Sequence, residues 1–249
     1  MEFETYAIEA EVARYHWWFV GRRHLISRVL RELSLPKDAP ILEVGTGTGS
    51  HLSVLRELGY TSVKGVDCSS EAVHYCREKG FENVMLGDIC NLPFPDGIFQ
   101  LVVATDVIEH VDNDLVALSE IRRVLSSGGQ AILTVPAFKI LWGIQDEVSH
   151  HKRRYLKKEL LEKIKAARFN NKTIFYFNYI LFLPILFTRK AIKLLKIKVK
   201  NENSINNNFL NDLFRIIFNF DVVSSRILYP PFGVSIFALL EKSDKEAES

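Results

Sequence analysis

The sequence predicts an α/β protein whose sheet is mostly parallel and covered by helices on both faces. Three observations predict it. Short apolar strands alternate with amphipathic helices from Ile41 to Val135, a glycine-rich turn follows the first strand, and Asp67 ends the second. Strands that read as near-continuous apolar runs between helices are buried on both faces, which is the parallel arrangement.

The elements follow in order. Between Glu9 and Leu33 apolar residues recur at helical spacing (Leu25, Ile26, Val29, Leu30, Leu33). Pro36 and Pro40 break this helix before a strand at Ile41–Val44. Further strands are expected at Ser62–Asp67, Asn83–Leu86, Phe99–Ala104 and Gln130–Val135, with helices at Ser50–Leu58, Ser70–Lys79 and Asn113–Leu125. Ser69 and Ser70 are cap candidates, Gly80 stops its helix, and Gly128-Gly129 reads as a helix-to-strand turn. Beyond Val135 the expectation is a helix at Lys157–Ala167, a strand at Lys172–Asn178, an apolar run Tyr179–Phe187, a Lys-rich run Arg189–Lys200, a polar loop Asn201–Asn208 and a strand at Val234–Glu241. The tail beyond is charged and should fray. This divides a single domain into a helical cap (1–36), a core (37–178 and 232–243) and, between the last two strands, a hydrophobic helical insert of apolar and basic residues (179–231).

Composition bounds the function. With 47% hydrophobic and 25% charged residues the chain is globular, and a net charge of +2 argues against a nucleic-acid partner. Cys68, Cys76 and Cys90 lack metal-ligand spacing and read as reduced thiols. Met1–Ala10 is acidic and has no apolar signal core, so a cytoplasmic location is expected.

The first strand runs into Glu43-Val44-Gly45-Thr46-Gly47-Thr48-Gly49, directly before a helix. Glycines there let the backbone turn tightly and approach a ligand. A nicotinamide loop would place a third glycine where Ser50 stands. Asp67 lies about twenty residues on, where a carboxylate can accept from ribose hydroxyls. Asp88-Ile89 follows the third strand, and Asp106-Val107-Ile108-Glu109-His110 follows the fourth.

Over Pro40 to Pro136 these motifs, in this order, resemble the class I S-adenosylmethionine-dependent methyltransferases, the broad type 11 group that includes ubiquinone-biosynthesis O-methyltransferases. The resemblance implies a Rossmann-like seven-stranded sheet of order 3-2-1-4-5-7-6 with the last strand antiparallel. It implies S-adenosylmethionine as cofactor, with Glu43 orienting the loop and Gly45, Thr46, Gly47 and Gly49 lining the methionine portion. Asp67 would hold the ribose, Asp88 and Ile89 the adenine, and Cys68 and Thr105 are counted among the cofactor-binding residues. A nicotinamide-dependent nucleotide-sugar oxidoreductase is the rival enzyme reading, and a non-catalytic, membrane-associated cofactor-binding scaffold the rival of another class.

Methyl transfer needs alignment and, for a hydroxyl acceptor, a base. Asp106, Glu109 and His110 could floor the cofactor, supply a base or, as in ubiquinone-type relatives, hold a divalent cation; His110 is kept as catalytic and no metal is expected. Trp142, Asp146 and His151-x-Arg153-Arg154-Tyr155 resemble a D…H-x-R-R-Y subfamily signature. There His151 would be the base and Asp146 its orienting acid, while Trp142, Arg153, Arg154 and Tyr155 would hold an anionic acceptor. The same subfamily opens on Trp17-Trp18-Phe19-Val20-Gly21-Arg22-Arg23, which implies a cap with Trp18 on the substrate and Arg22 on the methionine carboxylate. The acceptor class expected is a small molecule, a sugar or a lipid-linked intermediate. The apolar-then-basic insert suggests peripheral contact with an anionic membrane.

Overall fold

The computed structural model describes residues 10–195 and 208–243. The acidic start (1–9), Lys196, Lys198, Lys200, the Asn-rich stretch 201–207 and the tail 244–249 lie outside the described residues. A helical turn at 10–15 leads into α1 (Trp17–Leu33). The strands are β1 (Ile41–Val44), β2 (Val63–Asp67), β3 (Val84–Leu86), β4 (Phe99–Thr105), β5 (Leu125–Pro136), β6 (Phe169–Phe177) and β7 (Ser235–Lys242). Between them run α2 (Ser50–Glu57), α3 (Ser70–Glu78), α4 (Asp114–Val124), α5 (Ile144–Val148), α6 (Lys157–Ala166), α7 (Phe182–Leu194) and α8 (Asn208–Leu228).

All seven strands form one sheet, ordered β3-β2-β1-β4-β5-β7-β6. β1 to β5 pair in parallel, and β7 runs antiparallel to both β5 and β6. Order and direction are those the resemblance implied. The strands alternate their side chains between two cores, as the two-residue period requires. Leu101, Val103, Ile132, Phe175 and Phe237 pack with α1 and α8, whereas Val102, Ala104, Ala131, Leu133 and Ile236 pack with α4 and α6.

One expectation needs correction. Gly128-Gly129 is no turn: β5 starts at Leu125, directly after α4, and bulges here with Gly128 at φ +67°. A Cβ on Gly129 would stand 2.9 Å from the Ser126 carbonyl oxygen, so the pair permits a close backbone approach inside the strand. The insert between the last two strands is helical, as expected, and its longer helix is α8, of 21 residues. It crosses α1 at Gly21, where a Cβ would fall 1.7 Å from the Phe218 ring. Gly21, costly inside a helix, is there to admit that crossing.

Candidate active site

The C-terminal ends of β1, β4 and β5 make one rim, where ligands bind in sheets of this topology. At β1 the loop turns through three glycines in the left-handed region, Gly45 (φ +74°), Gly47 (φ +49°) and Gly49 (φ +73°). A Cβ on Gly45 would meet Val107 at 2.6 Å, whereas nothing lies within 4 Å of one on Gly47. One glycine is thus demanded by packing and the other leaves open space beside bare backbone. Asp67 sits across from it: its carboxylate accepts from the Gly47 N–H (2.8 Å) and the Ser69 N–H (2.9 Å). Two of its roughly four lone-pair sites remain for hydroxyl donors.

Behind the loop, Glu43 is buried, with one oxygen 3.4 Å from His51 Nδ1 and the other without a partner. Burial, then the nearby Asp67 charge, pushes this carboxyl well above its usual range. His51 is driven down to about 3 by burial and by the Arg22 and Arg23 charges. Thr105 Oγ1 lies 3.2 Å from the same Nδ1, which joins the ends of β1 and β4. Thr46 is buried beneath the loop, and a Cβ on Gly65 would press on it at 2.7 Å. Cys68 is exposed next to Asp67, with its thiol raised by burial of the sulfur and by the Asp67 charge. Asp88 is exposed at the end of β3 and accepts the Cys90 N–H, while Ile89 is buried.

Arg22 reaches the rim from α1. Its Nη1 meets Asp106 Oδ2 at 2.8 Å, and its buried Nε has no partner. Asp106 adopts φ +53° and also accepts from Thr134 Oγ1 at 3.0 Å. Trp18 stacks parallel to Phe177 and packs on Phe218, so this ring seats α1 on the sheet rather than facing an acceptor.

The third part follows β5. Asp146, fully buried at the start of α5, is the hub. It accepts from His151 Nδ1 (2.9 Å), from Arg154 Nε (2.7 Å) and Nη2 (3.0 Å), and from the Gly143 N–H (2.8 Å). Burial works to raise its pKa, but the bonds from His151 and Arg154 outweigh it and hold the group at about 2. The His110 ring lies edge-on to His151 with centroids 4.7 Å apart. Burial and the adjacent His151 keep His110 below the ordinary histidine range. Glu109 is fully buried, both its oxygens lack partners, and burial with the Asp106 charge pushes it well above the carboxylate range. Trp142 is half-buried at the mouth of α5.

The expected anion clamp is not what the arginines form. Arg154, 4% exposed, spends its fork on Asp146 and the Ala137 carbonyl. Arg153 is bonded to Asp114 (3.0 Å) and to the Val111 and Asp112 carbonyls. Tyr155 is 2% exposed and donates to Asp114 and Ile108. Arg153 and Tyr155 tie the His151 segment to Asp114 at the start of α4, and Arg154 ties it to Asp146 and to the chain just past β5. The cation-ligand set also differs. Arg22 and Thr134 take Asp106, and the group whose ligand atoms lie within 4.8 Å of one another is Glu109, His110 and His151. His51 and Asp114 went unread in the sequence; His51 directly follows the glycine loop, but nothing local marks Asp114.

The protein-family model described as a methyltransferase domain matches residues 42–133. A tRNA (carboxymethyluridine(34)-5-O)-methyltransferase, alkbh8 of Xenopus tropicalis, is 34% identical over 127 residues, which are 50% of this chain and 19% of that protein. A demethylmenaquinone methyltransferase of Staphylococcus aureus (strain JH9) is 33% identical over 129 residues, 47% of this chain and 54% of its own length. The chain therefore spans from a fifth to about half of these relatives. Among solved structures, a chain of the complex between the Haloferax volcanii Trm112 methyltransferase activator and a methyltransferase superposes with a TM-score of 0.66 at 18% identity, over 99% of this chain and 98% of that one. A methyltransferase of Thermotoga maritima gives a TM-score of 0.59 at 19% identity, over 97% and 98%. The glycine cradle, the open space at Gly47, the free lone pairs of Asp67 and the unpartnered Arg22 Nε fit an adenosyl amino acid. Residues 42–133 match a methyltransferase domain, and the whole sheet has the Rossmann-like strand order of the fold that these solved methyltransferases share.

Proposed function

We propose that the protein transfers the methyl group of S-adenosylmethionine to an oxygen of a small-molecule, sugar or lipid-linked acceptor, with His151 as general base. The bound cofactor supplies a sulfonium methyl open to in-line displacement. The loop from Gly45 to Gly49 receives the methionine portion, Asp67 accepts from the ribose hydroxyls, and Asp88 with Ile89 borders the adenine. The reading rests on one observation, the Asp146–His151 pair at the rim. A carboxylate on Nδ1 fixes the tautomer, so Nε2 is left as the lone pair that takes the acceptor proton. Asp146 stays ionised far below neutral pH, because Arg154 and the Gly143 N–H hold it. The Arg22–Asp106 pair ties α1 to the end of β4 and shields that side of the cleft.

Replacing His151 with Ala should leave cofactor affinity within about twofold by calorimetry and lower labelled-methyl transfer about 10²–10⁴-fold. Unchanged transfer removes His151 from the mechanism. The acceptor is found by exposing lipid, polysaccharide and RNA fractions to labelled cofactor; label in RNA would replace the small-molecule reading with that of the tRNA-modifying relative.

A second reading has its own observation. Glu109, His110 and His151 converge, and Asp146 on His151 Nδ1 is the outer carboxylate that metal-bound histidines commonly have. The two readings exclude each other at His151 Nε2, which cannot both bind a cation and accept a proton. Retention of full activity after chelator dialysis supports the base; loss restored by zinc or manganese supports the cation.

A further inference from the structure

We propose that the outer faces of α7 and α8 form a docking surface for an anionic lipid bilayer, on which the protein lies without crossing it. This inference does not depend on the methyl-transfer chemistry. The inner face of α8 is spent on the fold: Asn211, Phe218, Asp221, Val222 and Ser225 are buried against α1, β6 and the start of α7. The opposite face should then be polar. Instead Phe209, Leu213, Ile216, Phe220, Val223 and Ile227 follow one another at intervals of four and three, between 39% and 78% exposed. A helix apolar on both faces belongs to two apolar environments, of which the protein core supplies one.

α7 repeats the pattern. Phe182 and Leu186 turn inward onto Leu141 and Val234, while Leu183, Phe187 and Leu194 stand 53%, 65% and 82% exposed. The helices are fastened together where α7 begins. The Asp221 carboxylate accepts the Asn178 and Ile180 N–H groups, and Tyr179 Oη meets Ser224 Oγ at 3.1 Å.

Charge selects the occupant. Residues 179–195 carry Arg189, Lys190 and Lys193 and no acid, in a chain whose net charge is only +2. Arg189 turns inward to the Leu141 carbonyl and Asp146, but Lys190 and Lys193 are exposed beside Leu194 and Leu195. A second copy would bring two such cationic stretches together, and a nucleic acid would meet leucine and phenylalanine between the cations. An anionic headgroup layer over acyl chains satisfies both components. Among the described residues no helix is long and apolar enough to cross a membrane, so the surface is one that lies flat.

The test is sedimentation of the full chain with vesicles of phosphatidylcholine alone or with about 30% phosphatidylglycerol. Binding should require the anionic lipid and weaken at least about tenfold when salt is raised to about 0.5 M. The triple change Phe209→Ser, Ile216→Ser, Phe220→Ser and, separately, Lys190→Glu with Lys193→Glu should each reduce binding at least about tenfold. Both variants should keep the cofactor affinity of the parent, which certifies the fold. Indifference to anionic vesicles overturns the proposal, as does undiminished binding by the triple variant. A dimer in size-exclusion chromatography that the triple variant dissolves, without vesicle binding, assigns the face to a second copy instead.

Discussion

Around Gly45–Gly49 the chain presents backbone to its ligand; around His151 it presents side chains. The first region needs three left-handed glycines, one strand-end carboxylate and a tight contact with Val107, and everything except that contact lies within 25 residues of sequence. The second draws on Asp114, Asp146, His151, Arg154 and Arg189, and on His110 from the end of β4. Backbone recognition tolerates change in the surrounding side chains, so a cofactor loop can stay constant while its neighbourhood varies. A buried network of charges changes as a unit, which suits the part of a site that must select an acceptor.

The comparison breaks hardest at Asp146. Replacing it with Ala leaves Arg154 buried beside a missing carboxylate, and loss of one partner of a buried pair costs about 3–5 kcal/mol. Thermal or urea melts should show that loss together with loss of turnover, and cofactor affinity should survive wherever the protein remains folded. The same group sets an acid limit. Its pKa is lowered from 3.8 to about 2 in the folded state, so its stabilisation is complete above 3.8 and disappears as pH falls toward 2. An Asp146→Asn variant should lack that component of the acid melt.

In the backbone region the matching disruption is Gly45→Ala. At φ +74° with Val107 2.6 Å away, the added methyl costs about 1–3 kcal/mol and displaces the loop. Calorimetry should show cofactor affinity falling while the histidine pair is untouched. Gly47→Ala, equally left-handed but facing open space, should destabilise less yet still lower affinity.

How much of each region was readable from sequence follows the same division. Glu43, the glycines, Asp67 and Asp88 announce themselves because their chemistry is local to strand ends. Arg153 and Arg154 look like an anion clamp in sequence, because a run of cations does not reveal that Asp114 and Asp146 already neutralise it. Gly21 is legible only as an oddity in a helix; its partner Phe218 lies on the far side of the insert. The insert is legible as helical and hydrophobic, but the bounds of α8 are not, because the period of its inner stripe is masked by the apolar stripe on the outside. That second stripe is the same fact that leaves its outer face without a partner.

Glu109 is buried, and neither of its carboxylate oxygens has a hydrogen-bond partner among the described residues. Its folded pKa is raised, so the unfolded chain holds fewer protons at neutral pH and stability falls as pH rises above 4.5. Glu109→Gln removes that dependence. The variant should melt above the parent at pH 7, with a gap that grows by up to about 1.4 kcal/mol per pH unit above 4.5 and closes below it. If the group serves a cation instead, the gap reverses in sign when zinc or manganese is added to the parent.

The smallest effect is expected at Asp88. It is exposed and its carboxylate accepts the Cys90 N–H within its own turn, so Asp88→Ala should cost the fold less than about 1 kcal/mol. On the cofactor it would remove one solvent-exposed acceptor, worth about 0.5–1.5 kcal/mol, or up to roughly a tenfold loss of affinity. Asp67→Ala, which strips two backbone N–H groups of their acceptor as well as the ribose of its own, should cost more on both counts. Equal losses for the two would mean that the end of β3 holds the cofactor as firmly as the loop does, and that the backbone cradle is not what fixes it.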